Sequence, residues 1–500
     1  MRARILFSVL ALGVLAARLC HVGILWTEED LPLAAAVQML DGKALYRDVW
    51  YDKPPLAPAV SLLWGAQTGW PLRAGGAAYV LTCSWLAWLF ARRKWGPREA
   101  AFAALFVAFF LTFWIPSAVM PLAVDLLLVA PHLAAVYLAW RGRAFLSGLT
   151  AGAAMLVNAK AVFVVAVCAL WIYRAAPKFA AGFLLPNALA AAWLWTTGSL
   201  GDYWQQVWQL GFLYSGHTFV GSPLREGFAR TVSWMGFHAA LVLPAAWFCW
   251  KDRDPDRWRF AAWAVIALVA VAAGWRFFPR YYFILLPVAV LAASRGCVLL
   301  GRWRFAVIVL LLIPLARFGP RFVVMASDLA AGRQHRWRDI EMDRDSRAAA
   351  QILQKSARPG DTLFVWGYRP DLYVYTRLPA ATRFLESQPL SGVLADRHLF
   401  DTTTIPAPWT AAHRAELTRS RPAFVVDGLK PYNPRLALDA YDDLRPWLSQ
   451  YREFARTNGC VIYRAIEKWG GSPDPQAGRQ TGPESLTPSA TATPLQAAGS

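Results

Sequence analysis

The sequence predicts a polytopic α-helical membrane protein with a small α/β domain near its C-terminal end. Hydrophobic residues make up 57% of the 500-residue chain, more than a soluble protein of this length needs for its core. Nearly uncharged runs, each long enough to cross about 30 Å of hydrocarbon as a helix, recur over the first two thirds of the chain. The clearest of these runs are 5–25, 99–115, 234–250 and 259–274.

The charge of the chain fits a membrane protein better than a nucleic-acid-binding protein. The formal net charge is +19 at pH 7, which in a soluble protein would indicate nucleic acid. Much of the excess lies in short loops between apolar runs, where basic residues mark cytoplasmic loops. We therefore expect membrane lipid as a partner and no nucleic acid.

The positions of the basic residues also predict the topology. An arginine pair before the run 5–25 places the N-terminus inside, so residues 26–74 form a long first outer loop. The run 144–174 is too long for one helix and is predicted to form two. Counting the runs gives about eleven spans in a plasma (inner) membrane and an extracytoplasmic C-terminal domain. Residues 54–70 are expected to form a juxtamembrane or re-entrant helix, because another span there would reverse every later basic loop.

The predicted domains are a transmembrane module over 1–330, an outer α/β domain over 331–467 and a disordered tail over 468–500. The tail is rich in Gly, Ser, Thr and Pro and has no apolar period. In the α/β domain we predict helices at 345–357, 410–420 and 436–452, and strands at 362–368, 423–428 and 459–465.

Three consecutive acids, Glu28, Glu29 and Asp30, begin the first outer loop. Asp30 is expected to cap a helix that has Pro32 in its first turn and ends at Gly42. Acids at a helix start are often no more than capping groups. An ionised carboxylate at this surface can also accept a proton from an attacking hydroxyl group.

The turn with Asp125, the 198–233 loop and the stretch from Arg276 to Tyr282 are expected to lie on the same outer face as these acids. Asp125 lies in a run otherwise free of charge until Arg141. Because a buried charge costs ~2.5–3.5 kcal/mol on membrane-insertion scales, it is expected to face a polar cavity.

The outer-face cations Arg276 and Arg280 are suited to binding a phosphate group, with Tyr281 or Tyr282 at the interface. Their outer position runs against the positive-inside trend. Lys53 and Lys160 are weaker cationic candidates.

The order and spacing of these residues resemble the GT-C glycosyltransferases, in particular the bacterial group related to protein mannosyltransferases and aminoarabinose transferases. The matching segments are Glu28-Glu29 in place of the family's Asp-Glu, Leu40-Asp41-Gly42, Tyr46-Arg47-Asp48, Lys53-Pro54-Pro55-Leu56, Asp125, Gly148 to Lys160, and Arg280-Tyr281-Tyr282 through Pro287.

The resemblance implies a GT-C-like fold and sugar transfer, with inversion, from a polyprenyl-phosphate donor at the outer membrane face. The acceptor would be a glycan, a lipid or a protein of the cell envelope. By the resemblance, Glu28 would be the base, Glu29 and Asp125 would orient the acceptor or a divalent metal, and Arg276 and Arg280 would hold the leaving phosphate. The metal stays open, and so does the base, because Glu28 replaces an aspartate and either Glu29 or Asp30 could serve instead.

A polytopic lipid or sugar transporter or flippase is the alternative of another class. Such a protein would have inverted repeats and charged residues near the membrane midplane. The sequence has no evident repeat, and its acids cluster at one face. The enzyme hypothesis is therefore favoured.

Overall fold

The computed structural model describes residues 2–115, 122–218, 220–335, 337, 340–395, 397–405 and 407–466. The tail that we predict to be disordered lies outside the described residues. Within them, a helical module is followed by an α/β unit over 341–466, which is called the C-terminal domain from here on.

The first loop of the helical module is partly helical. Helix α1 (Arg2–Leu19) precedes it, and α2 (Asp30–Leu40) and α3 (Leu56–Ser61) lie within it. Asp30 is the first residue of α2 and not its cap, so that prediction was wrong. Its carboxylate instead accepts the backbone N–H groups of Glu28 and Leu31, at 3.0 and 2.8 Å. With six residues, α3 is too short to span a membrane.

The remaining helices of the module form its bundle. They are α4 (Trp70–Lys94), α5 (Pro97–Phe110), α6 (Val124–Leu127), α7 (Val129–Trp140), α8 (Ala144–Met155), α9 (Ala161–Ile172), α10 (Ala176–Thr196), α11 (Leu200–Tyr203), α12 (Leu210–Gly216), α13 (Pro223–Phe237), α14 (Ala239–Lys251), α15 (Arg257–Ala272), α16 (Leu286–Leu299) and α17 (Arg304–Ala330). The two helices predicted over 144–174 are confirmed as α8 and α9.

The described part of the chain has four helical segments long and apolar enough to cross a membrane: Trp70–Lys94, Ala161–Thr196, Pro279–Leu299 and Gly301–Ala330. Helices α13 and α14 pass the same test only together, and they are bent by 93°. The predicted span 234–250 is therefore broken at His238, whose ring packs 4.4 Å from those of Trp114 and Trp234. The chain is a multi-pass membrane protein, and the count of about eleven spans stays a prediction.

The C-terminal domain packs helices around a four-stranded sheet of order β1-β2-β4-β3. The β1/β2 pair is parallel, and the other two pairs are antiparallel. The strands are β1 (Leu363–Trp366), β2 (Phe424–Asp427), β3 (Tyr451–Arg456) and β4 (Val461–Ala465), and the helices are α18 (Glu341–Ser356), α19 (Asp371–Thr376), α20 (Gln388–Ser391), α21 (Thr410–Leu417) and α22 (Arg445–Leu448).

Three predicted strands and the first two predicted helices of this domain are confirmed. The helix predicted over 436–452 is wrong, because that stretch holds only short helical turns before the chain enters β3. As an edge strand exposed along much of its length, β3 carries polar residues that hide its strand pattern.

The first loop forms hydrogen bonds with backbone groups of the C-terminal domain. The Gln38 carboxamide donates to the carbonyl of Leu378 at 3.2 Å and accepts the N–H of Ala380 at 2.7 Å. The N–H of Trp50 donates to the carbonyl of Arg383 at 2.6 Å. Because Gln38 is fully buried, these bonds fix the segment 378–383 against the first loop.

Glycines let α8 and α10 approach closely, which positions the residues that follow α8. A Cβ at Gly148 would clash with the backbone of Phe179, and one at Gly182 with the backbone of Phe145. Small residues at such crossings are the usual means of close helix packing in membranes. The α8/α10 contact thus fixes the chain that leads from α8 to Lys160.

We predict that Gly182→Ala destabilises the protein by about 1–3 kcal/mol, because the added methyl group has no space at this crossing. Gly236→Ala is the matched control, since a Cβ at that helical glycine meets nothing within 4 Å. Thermal unfolding in detergent, followed by tryptophan fluorescence, measures both. Equal unfolding temperatures for the two variants would contradict the packing argument.

Candidate active site

A cavity of about 360 Å³ lies where the first loop, α6, the α8–α9 connection, the turn before α16 and the C-terminal domain meet. Its volume is within the range of small-molecule sites. Its charged lining residues are Glu28, Asp52, Lys53, Asp125, Lys160, Arg280 and Glu386. Both charge signs therefore converge in one cavity, drawn from segments far apart in the sequence.

The backbone at the start of α2 directs Glu28 and Glu29 to different places. Glu28 has a left-handed φ of +82°, which is unfavourable for a residue with a side chain and costs of the order of 1–3 kcal/mol. Its N–H donates to the Asp30 carboxylate at 3.0 Å, which holds this conformation. Glu28 lines the cavity, whereas Glu29 and Asp30 do not.

Arg280 joins the two predicted carboxylates. Its guanidinium group forms ion pairs with Glu28 and with Asp125, the latter at 3.5 Å. Arg280 belongs to the helical turn Pro279–Leu285 that leads into α16. One arginine thus ties the first loop and α6 to the turn before α16.

Asp125 faces the polar cavity, as the sequence predicts. Besides Arg280, it accepts a hydrogen bond from the Asn158 amide at 3.0 Å and lies 3.8 Å from the Lys160 ammonium nitrogen. That nitrogen lies 2.9 Å from the centre of the Tyr281 ring, a cation–π contact. Three groups therefore share the two oxygens of Asp125.

Lys53 is a third cation of the cavity, and it comes from the first loop. Its ammonium group binds Asp52 at 2.9 Å, and its carbonyl accepts the hydroxyl of Tyr46 at 2.8 Å. Burial alone would lower the pKa of Lys53, but the carboxylates of Asp52 and Glu28 raise it above its ordinary value. Lys53 therefore stays charged at neutral pH and faces the same cavity.

Glu29 forms a buried ion pair away from the cavity. Its two oxygens accept the Arg73 guanidinium group at 2.8 Å each, and both side chains are 1% exposed. It also accepts the Leu122 N–H at 2.6 Å. These contacts anchor the first loop to α4. Near them, burial raises the pKa of Asp30 well above its ordinary value.

Arg276 and Tyr282 also lie outside the cavity lining. Arg276 donates to the carbonyls of Tyr214 and His217 at 2.9 and 2.6 Å. The hydroxyl of Tyr282 pairs with that of Thr231 at 2.8 Å. Both residues stabilise the turn that carries Arg280 and Tyr281. These are the other two residues predicted there, and both line the cavity.

Sequence reasoning missed seven polar residues of the cavity lining: Thr27, Asp52, Asn158, Tyr214, Tyr368, Glu386 and Gln388. Asp52 directly precedes the candidate Lys53, so its position in the sequence could have indicated it. Tyr368 and Glu386 come from the C-terminal domain, and nothing in their local sequence distinguishes them from ordinary domain residues.

Three carboxylates of the cavity, Glu28, Asp52 and Asp125, form ion pairs with cations of the protein itself. Among the described residues, no group of three or more His, Cys, Asp or Glu side chains is suited to a metal ion. Whether the protein uses a divalent metal stays open, as it is in the sequence. No step of the proposed reaction is routed through one.

No family model and no curated protein matches the sequence. Among solved structures, ArnT from Cupriavidus metallidurans bound to undecaprenyl phosphate matches with a TM-score of 0.60 at 14% identity, over 93% of this chain and 98% of that chain. Its apo state matches with a TM-score of 0.62 at 15% identity, over 92% and 97%. The Archaeoglobus fulgidus oligosaccharyltransferase complex with Zn and sulfate matches with a TM-score of 0.42 at 13% identity, over 92% and 73%. The two ArnT matches confirm the predicted GT-C-like fold.

We predict that Glu29→Ala destabilises the protein by about 3–5 kcal/mol, because it leaves the Arg73 charge buried without its partner. Glu226→Ala is the matched control, since the Glu226–Arg230 pair is largely exposed and contributes about 0–1 kcal/mol. Thermal unfolding in detergent compares the two variants. An unfolding temperature for Glu29→Ala equal to that of the control would refute the anchoring role.

Proposed function

We propose that this chain is a membrane glycosyltransferase that moves a sugar from a polyprenyl-phosphate donor to an acceptor of the cell envelope. The observation that carries the proposal is the cavity in which Glu28 and Asp125 meet Arg280, Lys160 and Lys53. Carboxylates supply a proton acceptor, and the cations match a phosphate leaving group. The fold shared with ArnT, which has been solved with undecaprenyl phosphate bound, supports a lipid-linked donor.

The proposed reaction is a single displacement with inversion at the anomeric carbon. An acceptor hydroxyl oxygen forms the new bond to that carbon, and the bond from the carbon to the phosphate oxygen breaks. The hydroxyl proton moves to a cavity carboxylate. Polyprenyl phosphate leaves with the bonding electron pair, and the nearby ammonium and guanidinium groups stabilise its charge.

We assign the proton acceptor to Glu28. The two oxygens of Asp125 already serve Asn158, Lys160 and Arg280. In contrast, the Glu28 carboxylate has Arg280 as its ion-pair partner among the described residues, and its side chain is 21% exposed against 9% for Asp125. Asp125 would hold the cations in place, and Glu29 would anchor the loop.

Donor binding would also free the base. A phosphate group in the cavity competes with Glu28 for the Arg280 guanidinium, since both are oxyanions and arginine binds phosphate in a bidentate manner. Once Arg280 turns to the phosphate, the Glu28 carboxylate is released to accept the hydroxyl proton. The enzyme would then be activated only when the donor is present.

The side of the membrane on which we propose the reaction takes place is based on the basic loops of the sequence. Their distribution supports an outer-face location of the first loop and the C-terminal domain at the plasma (inner) membrane. The acceptor would then be an envelope glycan, lipid or protein.

Glu28→Gln should lower the rate of sugar transfer by roughly 10²–10⁴-fold, as expected for loss of a general base. The amide keeps the size of the side chain, so folding should be retained. The assay uses purified protein, a panel of synthetic undecaprenyl-phosphate hexoses and pentoses, and an envelope extract as acceptor. Glu226→Gln, on the exposed part of α13, is the control. Full activity in Glu28→Gln would exclude Glu28 as the base.

Lys53→Met should weaken the binding of undecaprenyl phosphate by about 10–100-fold, the effect of losing one charge-assisted contact. Lys355→Met, an exposed lysine of α18, should leave the affinity unchanged. Titration of the lipid into protein in nanodiscs measures both dissociation constants. Equal affinities would remove Lys53 from the phosphate site.

A further inference from the structure

One carboxyl group of the cavity has no part in the proposed phosphate chemistry. Glu386 comes from the C-terminal domain, is 6% exposed and lines the cavity opposite the residues of the helical module. The other lining carboxylates, Glu28, Asp52 and Asp125, each have a cationic partner. Among the described residues, Glu386 has no ion-pair partner, although Lys53 lies in the same cavity.

The segment that carries Glu386 is held rigidly between the two parts of the molecule. On one side, the Trp50 N–H donates to the carbonyl of Arg383 at 2.6 Å. On the other, the Ser387 N–H donates to the carbonyl of Gly367 at 3.3 Å, just after β1. The position of the Glu386 side chain is therefore set by the docking of the C-terminal domain on the first loop.

Only one oxygen of the Glu386 carboxyl is used within the protein. Oε2 accepts the N–H of Gln388 at 2.6 Å. No described residue forms a hydrogen bond with Oε1. A carboxyl oxygen without a protein partner, at the wall of a ligand-sized cavity, is suited to a ligand contact.

The surroundings favour the protonated form of this carboxyl. Burial raises the pKa of Glu386 to about 8; the Gln388 N–H and Lys53 oppose the rise, and Asp52 adds to it. The hydroxyl of Tyr368 is uncharged in the same wall, because burial and the charges of Asp30, Glu28 and Asp52 raise its pKa well above the ordinary value. The remaining charged groups that line the cavity are Asp125, Lys160 and Arg280.

We propose that Glu386 binds the sugar of the donor, with its protonated carboxyl donating a hydrogen bond to a sugar oxygen while the cations hold the phosphate. Tyr368 lies in the same wall as a second neutral hydrogen-bonding group, so the C-terminal domain would form a sugar subsite. A neutral hydrogen-bond donor suits the hydroxyl groups of a sugar ring, because the ring carries no charge. The inference rests on the proposed function and assigns the two halves of the donor to different walls of one cavity.

The test separates the sugar from the phosphate. Glu386→Ala should raise the KM for the best donor of the synthetic panel by about tenfold, the effect of one buried hydrogen bond. Its affinity for undecaprenyl phosphate, which has no sugar, should stay that of the wild type. Glu453→Gln, an exposed carboxyl of β3 that is outside the cavity lining, should change neither value. Equal losses for donor and lipid phosphate would place Glu386 at the phosphate and overturn the proposal.

The pH dependence gives a second readout that does not need the alanine variant to fold. Because the pKa of Glu386 is raised, the protonated form is present at neutral pH and is lost as the pH rises through about 8. The donor KM of the wild type should therefore increase above that pH. Glu386→Gln keeps a hydrogen-bond donor at this position at every pH, and it keeps an oxygen that accepts the Gln388 N–H. The KM of this variant for the sugar donor should therefore not increase above that pH. The same rise in both proteins would overturn the proposal.

These outcomes also distinguish this inference from the proposed function. If the wild type transfers no sugar from any donor of the panel, the proposed function fails. If the wild type transfers sugar and the Glu386 variants keep its KM and pH profile, only the sugar subsite fails.

Discussion

The contacts of Arg280 with Glu28 and Asp125 organise the site. The guanidinium group joins the first loop and α6 to the turn before α16, and no two of these segments are neighbours in the sequence. Without that cation, two carboxylates would face each other across a small, partly buried cavity, where like charges repel. In the proposed reaction, the same cation is the group that a phosphate would take over from Glu28, so the contact that holds the site together would also couple it to the donor.

The rest of the structure keeps this contact in place. The buried Glu29–Arg73 pair fixes the first loop on α4, and the left-handed backbone of Glu28 turns the neighbouring carboxylate into the cavity. Gln38 and Trp50 hold the C-terminal domain on that loop. Because that domain supplies the wall with Tyr368 and Glu386, the cavity is complete only when the two parts of the chain are docked.

The sequence predicted the elements whose signal is local. Long apolar runs predicted the helices of the bundle, and short apolar runs predicted three of the four strands. The bend at His238 depends on ring packing with residues far along the chain, and the edge strand β3 has too few buried residues to show a pattern. At the site, an acid in an apolar run identified Asp125. Glu28 and Glu29 look equivalent in the sequence. They differ only in the folded chain, where Glu28 has a left-handed φ angle and Glu29 pairs with Arg73. Glu386 had no local signal, since its position follows from domain docking.

The central claim is that this cavity transfers a sugar in the cell envelope. The most direct measurement is mass spectrometry of envelope glycans and polyprenyl-linked sugars in cells that carry the wild-type chain, the Glu28→Gln variant or no gene. If the cavity is the site of sugar transfer, one glycan modification is present with the wild type only, and its lipid-linked donor accumulates in the other two strains. Identical glycan and donor profiles in all three strains would contradict it.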